Sequence, residues 1–94
     1  MTTLTSLDLS GNPLAYIDQV TMGAISDLVM LRTLKLSACE LETLPEGLLR
    51  RQRTLKHLDI SDNRFTTIPS VLQEAPKLTF LNLDKNAIQA IEGT

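Results

Sequence analysis

The sequence predicts an α/β solenoid, with a short parallel sheet on a concave face and short helices or turns on the convex face. Three observations carry this expectation. One leucine pattern recurs four times, its copies begin at nearly constant intervals, and apolar and polar residues alternate within each copy.

The copies read Leu4-x-x-Leu7-x-Leu9-x-x-Asn12-x-Leu14, Leu31-x-x-Leu34-x-Leu36-x-x-Cys39-x-Leu41, Leu55-x-x-Leu58-x-Ile60-x-x-Asn63-x-Phe65 and Leu78-x-x-Leu81-x-Leu83-x-x-Asn86-x-Ile88. They start 27, 24 and 23 residues apart, and each adds an apolar residue three positions on, at Ile17, Leu44, Ile68 and Ile91. Units of this length bury their apolar faces only by stacking on their neighbours. The pattern resembles the leucine-rich repeat family, whose motif has Asn or Cys at its ninth position and a period of roughly 20–29 residues. The resemblance covers nearly the whole chain. It implies a horseshoe fragment in which residues 1–94 form one domain, with repeats at about 4–30, 31–54, 55–77 and 78–94, and a role in binding protein.

The strands come from the alternation. Leu7-Asp8-Leu9-Ser10, Leu34-Lys35-Leu36-Ser37, Leu58-Asp59-Ile60-Ser61 and Leu81-Asn82-Leu83-Asp84 have period two, so one face points into the core and the other into solvent. Strands joined by return segments run parallel, which aligns their outward side chains in columns. With no Trp, one Tyr and two Phe, the core must be built mainly from Leu and Ile.

After each strand the chain turns inward and buries backbone groups, which an amide side chain can satisfy because it both donates and accepts. Asn12, Asn63 and Asn86 fill that position, and Cys39 takes it in the second repeat as a small, weakly donating side chain. No His or Lys stands beside Cys39 in sequence to lower its pKa, so a structural role is expected rather than that of a nucleophile or ligand.

The return segments differ. In the first, Val20, Ala24, Ile25 and Leu28 fall at helical spacing, so its extra residues predict a slightly longer helix. The second, Pro45-Glu46-Gly47-Leu48-Leu49, is the least regular. In the third, Ser70-Val71-Leu72-Gln73 has the form of a capping box, predicting one helical turn with Val71, Leu72 and Ala75 inward before Pro76 stops it.

Composition excludes several classes of function. Nine basic against eleven acidic side chains leave a formal net charge of −2, with no broad positive field for nucleic acid. No apolar run approaches the roughly 18–20 residues of a membrane span, so this segment is not expected to insert. A single cysteine offers neither an internal disulfide nor a zinc ligand set, and no cluster at metal or cofactor spacing is present.

Three constellations invite a chemical reading. His57, Asp59 and Ser61 share a strand face and are the residue types of a nucleophilic triad, but Asp59 stands centrally where His is required, and same-face neighbours lie about 7 Å apart. Solvated strand residues are expected, and no enzyme. Arg50, Arg51, Arg53 and Lys56 could meet an acidic partner, a phosphate or a glycan; the expectation is a solvated loop offset by Glu40, Glu42 and Glu46. Asp8, Lys35 and Asp59 alternate in sign along one column and are expected to pair with one another.

The function expected is that of a protein-binding module, using a concave patch of His57, Asp59, Phe80, Asn82 and Asp84 with Lys35 at its edge. Phe80 is central to it, because an aromatic at an outward strand position exposes apolar area with no core to receive it. The rival expectation is a structural spacer within a larger receptor or matrix protein whose ligand binds elsewhere. Nothing in the sequence covers Leu4, Leu7, Leu9 and Leu14 at one end or Leu78, Leu81, Leu83, Ile88 and Ile91 at the other. A fragment of a longer solenoid is therefore expected, prone to end-to-end association when isolated. Repeats of this length with Leu44-Pro45 and Ile68-Pro69 pairs resemble extracellular members of the family, so an ectodomain is favoured although no N-glycosylation sequon occurs.

Overall fold

A computed structural model describes residues 3–88. Four three-residue strands, β1 (Ser6–Asp8), β2 (Thr33–Lys35), β3 (His57–Asp59) and β4 (Phe80–Asn82), form one parallel sheet in chain order. The register follows the leucine pattern: Leu7, Leu34, Leu58 and Leu81 oppose one another, as do Ser6, Thr33, His57 and Phe80 and then Asp8, Lys35, Asp59 and Asn82. A slip of one residue would turn every leucine into solvent, so the apolar face fixes this alignment.

Inward side chains of the second and third repeats make the core. Leu31, Leu34, Leu36, Leu41, Leu55, Leu58 and Ile60 are fully buried, each stabilising the fold by about 1.5–3 kcal/mol. In the outer repeats Leu7, Leu9, Leu14, Leu78, Leu81, Leu83 and Ile88 are half-buried and Leu4 is exposed. Ile91 lies outside the described residues.

Directly before the Asn or Cys position the backbone enters the left-handed region in all four repeats, at Gly11 (φ 82°), Ala38 (φ 56°), Asp62 (φ 57°) and Lys85 (φ 59°). This residue turns the chain out of the sheet and into the buried bend. Only the first repeat uses glycine there, so the others carry a cost of about 1–2 kcal/mol each for a Cβ in that conformation.

The first return segment contains α1 (Gln19–Ser26), capped by Asp18, whose carboxylate accepts the Thr21 N–H at 2.8 Å. That bond holds the Asp18 carboxyl below its ordinary pKa. The helix is present as the spacing predicts, but not every residue at that spacing is buried. Val20 is 82% exposed and Ala24 is exposed, while Ile25 and Ser26 are buried and Met22 packs against the core. Two contacts with the next return segment set the helix phase: Ser26 Oγ donates to the Leu48 carbonyl at 3.4 Å, and Gln52 Nε2 to the Ile25 carbonyl at 2.8 Å.

The second return segment is a run of turns in which Leu48 N–H bonds Pro45 O and Arg50 N–H bonds Gly47 O, with Leu48 and Leu49 buried. The third is a 3₁₀ turn, Ser70–Glu74, with Val71 and Ala75 buried and Leu72 half-buried as the pattern predicts. The expected capping box does not form. Pro69 takes the cap position, so Ser70 lies inside the first turn and makes no capping bond. Ala75 is extended (φ −104°, ψ 90°) because Pro76 disfavours a helical residue before it.

Candidate functional site

Behind the sheet edge, the Asn positions form a continuous ladder. Asn63 is buried and makes five bonds: its Nδ2 donates to the carbonyls of Leu36, Ile60 and Ser61 at 2.9 Å, and its Oδ1 accepts from the N–H groups of Cys39 (2.9 Å) and Leu41 (3.0 Å). Asn86 repeats the arrangement one repeat later, donating to Ile60, Leu83 and Asp84 carbonyls and accepting from the Phe65 N–H. Cys39 donates its thiol to the Leu9 carbonyl at 3.2 Å, the same preceding-repeat position that Asn63 serves at Leu36. Burial raises its thiol pKa, the opposite of what a nucleophile needs. Asn12, at the exposed end, makes one bond, to the Leu9 carbonyl. This ladder shapes the bend and holds the sheet face in place.

On the concave face His57 and Phe80 stack, with ring centroids 4.2 Å apart and planes inclined by 27°. They are direct partners in the β3–β4 register. Stacking is worth about 0.5–1.5 kcal/mol, yet Phe80 remains 47% exposed. Asp59 and Asn82 are register partners beside this pair, Lys35 lies across from Asp59, and Asp84 N–H bonds Asn82 Oδ1 at 3.0 Å. All six residues of the expected patch therefore share one continuous surface.

The charge column behaves differently from expectation. Among the described residues no ion pair joins Lys35 to Asp8 or Asp59. Instead each acceptor in that column bonds forward by two residues: Asp8 Oδ1 accepts Ser10 N–H (2.9 Å), Asp59 Oδ1 accepts Ser61 N–H (3.0 Å), and Asn82 Oδ1 accepts Asp84 N–H. The Ser10 bonds hold the Asp8 carboxyl below its usual pKa, with Lys35 adding a smaller attraction. Lys35 has no acceptor to offer, and the Ser37 N–H turns to Ser10 Oγ of the preceding repeat at 3.1 Å. Ser37 and Ser61 hydroxyls then bond each other at 3.1 Å, and Ser61 Oγ donates to Asp59 at 2.7 Å. A hydroxyl ladder crosses the strands.

The ladder was not expected from the sequence, although the Asp-x-Ser spacing of Asp8-Leu9-Ser10 and Asp59-Ile60-Ser61 signals it. Ser61 is buried, not solvated as expected. With Ser61 bonded to Asp59 and His57 stacked on Phe80, the three residues are not arranged for proton transfer from serine to histidine.

The basic segment also pairs differently from the expected offset by Glu40, Glu42 and Glu46. Arg50 pairs with Glu74 at 3.5 Å and Arg51 with Asp27 at 3.4 Å, each across a repeat boundary.

Four parallel strands stacked in chain order and braced from behind by a side-chain ladder make a solenoid of stacked repeats. Residues 29–88 match the family model described as leucine rich repeat, and residues 1–16 match a second of the same description. The chain belongs to the leucine-rich repeat family. Receptor-like protein 35 of Arabidopsis thaliana is 33% identical over 93 residues, covering 98% of this chain and 10% of its own length. Vasorin of Homo sapiens is 38% identical over 80 residues (85% of this chain, 11% of its own). Nyctalopin of Mus musculus is 34% identical over 78 residues (83% of this chain, 16% of its own). The chain spans about a tenth of the length of the first of these relatives.

Proposed function

We propose that the concave sheet binds a protein partner through Phe80, His57, Asp59, Asn82 and Asp84, with Lys35 at the edge of the contact. The observation that carries this reading is the exposed ring of Phe80, held in place by His57 and flanked by acceptors on one side. An aromatic already ordered by stacking loses little entropy on binding, which is what an interface anchor requires. Asp8, Lys35 and Asp59 stand in register on β1, β2 and β3, so the face presents both signs to an oriented partner. Relatives named receptor-like support a protein-interaction module and an ectodomain setting.

A spacer role is favoured by a different observation: over the first two strands Asp8, Ser10 and Ser37 satisfy one another, and the positions equivalent to Phe80 hold only Ser6 and Thr33. The partner surface thus lies in the C-terminal half. The test is affinity. For a partner isolated from an ectodomain library, Phe80→Ala should weaken binding by about 2 kcal/mol, roughly 30-fold in Kd, with unchanged circular dichroism. If Phe80→Ala and Asp59→Ala both leave affinity intact while alanines at Arg50, Arg51 and Arg53 abolish it, the concave face is not the site. In isolation the half-covered outer leucines also favour end-to-end association of two copies.

A further inference from the structure

The sheet has two open edges, β1 and β4, and the boundaries between its strands show what each edge lacks. At successive boundaries the N–H of Leu9, Leu36 and Ile60 donates to the carbonyl of Lys35, Asp59 and Asn82, at 2.9, 2.7 and 3.0 Å. Two residues on, the N–H of Gly11, Ala38 and Asp62 donates to the carbonyl of Ser37, Ser61 and Asp84, at 2.9, 3.1 and 2.9 Å. In the fourth repeat the equivalent donors are Leu83 and Lys85, and neither has a backbone acceptor among the described residues. The acceptors that continue the series are the carbonyls of Asp8 and Ser10, in the first repeat. At the strand starts the N–H of Thr33, His57 and Phe80 bonds back to the carbonyl of Thr5, Arg32 and Lys56, which leaves the Ser6 N–H and the Thr79 carbonyl as the matching open pair.

The amide ladder stops in the same way. Asn63 and Asn86 each donate within their own repeat, to the Ile60 and Leu83 carbonyls, and across the boundary, to the Leu36 and Ile60 carbonyls. Each also accepts an N–H of the preceding repeat, from Leu41 and Phe65. Asn12 makes only the first of these bonds, to Leu9, so its amide already stands as the other two do, with Oδ1 and a second N–H proton left over. The groups that fit them are the Leu83 carbonyl and the Ile88 N–H of the fourth repeat. The apolar rows break off at the same edges. Leu4 is 38% exposed where Leu31 and Leu55, at the same motif position, are fully buried. Leu7 and Leu9 on one edge and Leu81 and Leu83 on the other are only half-buried.

We propose that copies of the 94-residue chain assemble head to tail. β1 of one copy adds in parallel to β4 of another, with Ser6, Leu7 and Asp8 opposite Phe80, Leu81 and Asn82, and Asn12 bridges to the Leu83 carbonyl and the Ile88 N–H. The inference rests on the end-to-end association proposed above and gives it a direction. Such a junction is heterologous, so every added copy leaves the same two edges open and assembly runs past the dimer. The competing arrangement pairs like edges about a two-fold axis, β1 on β1 or β4 on β4, and those strands are antiparallel. It sets the bend of one copy against the strand start of the other, where Asn12 meets no bend carbonyl. An unrelated edge strand supplies backbone partners but neither the leucine rows nor the bend that receives Asn12. A second copy supplies all three.

Sedimentation velocity over a concentration series reads assembly, and disulfide capture reads its direction. Asp8→Cys and Asn82→Cys, made on separate chains and mixed under mild oxidation, put thiols at opposed positions of the proposed junction. Neighbouring strands lie about 5 Å apart there, within disulfide reach, and the native Cys39 is buried and does not compete. The expected results are a disulfide-linked heterodimer of the two variants in excess over either homodimer, and wild-type species larger than a dimer. Asn12→Ala should weaken assembly about ten-fold through the two lost bridging bonds, with a denaturant midpoint close to wild type. Asn82→Lys should strengthen it several-fold by facing Asp8 of the next copy with a cation. Homodimers in excess over the mixed species overturn the proposal and leave end-to-end association standing, whereas a monomer at millimolar concentration overturns both. Asn12→Ala assembling as tightly as wild type also overturns the proposal.

Discussion

Replacing Asn63 with alanine should cost a large share of the stability of the chain. Five hydrogen bonds disappear, but two of the carbonyls keep other donors: Ile60 O is also bonded by Asn86 Nδ2 and Ser61 O by the Ala38 N–H. Three buried groups are left without a partner, the N–H of Cys39, the N–H of Leu41 and the carbonyl of Leu36. At about 1–3 kcal/mol each, with water entering the vacated site to relieve part of the penalty, the loss is about 3–5 kcal/mol. A whole domain has only about 5–15 kcal/mol to lose. Urea unfolding followed by circular dichroism measures the difference. Asn63→Cys should recover part of it, because a thiol can still donate to Leu36 as Cys39 does to Leu9, while giving the two N–H groups only a weak acceptor. Asn12→Ala, which removes one exposed bond, should cost under about 1 kcal/mol. If Asn63→Ala and Asn12→Ala cost the same, the ladder is not what closes the bend.

Ala38→Gly should stabilise the chain by about 0.5–1 kcal/mol, because relief of a left-handed Cβ outweighs the added freedom of the unfolded chain; Ala24→Gly, within α1, should do the reverse. Denaturant midpoints of the two variants falling on the same side of wild type would refute the backbone assignment. Asp18 and Asp8 have carboxyls held below their ordinary pKa by N–H donors, so their contribution is complete above the unfolded value and is lost as pH falls from about 4 through the lower folded values. Thermal midpoints should drop over that range, and Asp18→Asn, which still caps the helix, should flatten the slope; equal slopes in wild type and variant count against it. Sedimentation of the isolated chain should show concentration-dependent species larger than a monomer, and a monomer at high concentration with a sharp thermal transition contradicts the role given to the outer leucines.

Much of the fold was legible because strand and ladder depend on local spacing. Leu7, Leu34, Leu58 and Leu81 align as the period-two pattern requires, and Asn63 and Asn86 satisfy the bend as an amide must. The concave columns follow from the same spacing, and within the expected patch His57 and Phe80 are register partners that stack. What escaped depends on how one return segment lies on the next. The phase of α1 is set by Leu48 and Gln52, residues more than twenty positions away, and helical spacing alone could not choose Ser26 over Val20 as a buried position. Arg50 and Arg51 found carboxylates across repeat boundaries for the same reason. The left-handed turn at Ala38, Asp62 and Lys85 escaped because only Gly11 advertises it.

The concave-face assignment meets its most direct test in chemical-shift mapping of the chain bound to its protein partner, with residues 3–88 assigned in the free and bound states. The largest perturbations should fall on His57, Asp59, Phe80, Asn82 and Asp84, with Lys35 at the margin and the Phe80 ring protons shifted most. Perturbations confined to residues 45–53 and 70–77, with the Phe80 ring unchanged, would place the partner on the convex flank and contradict the account.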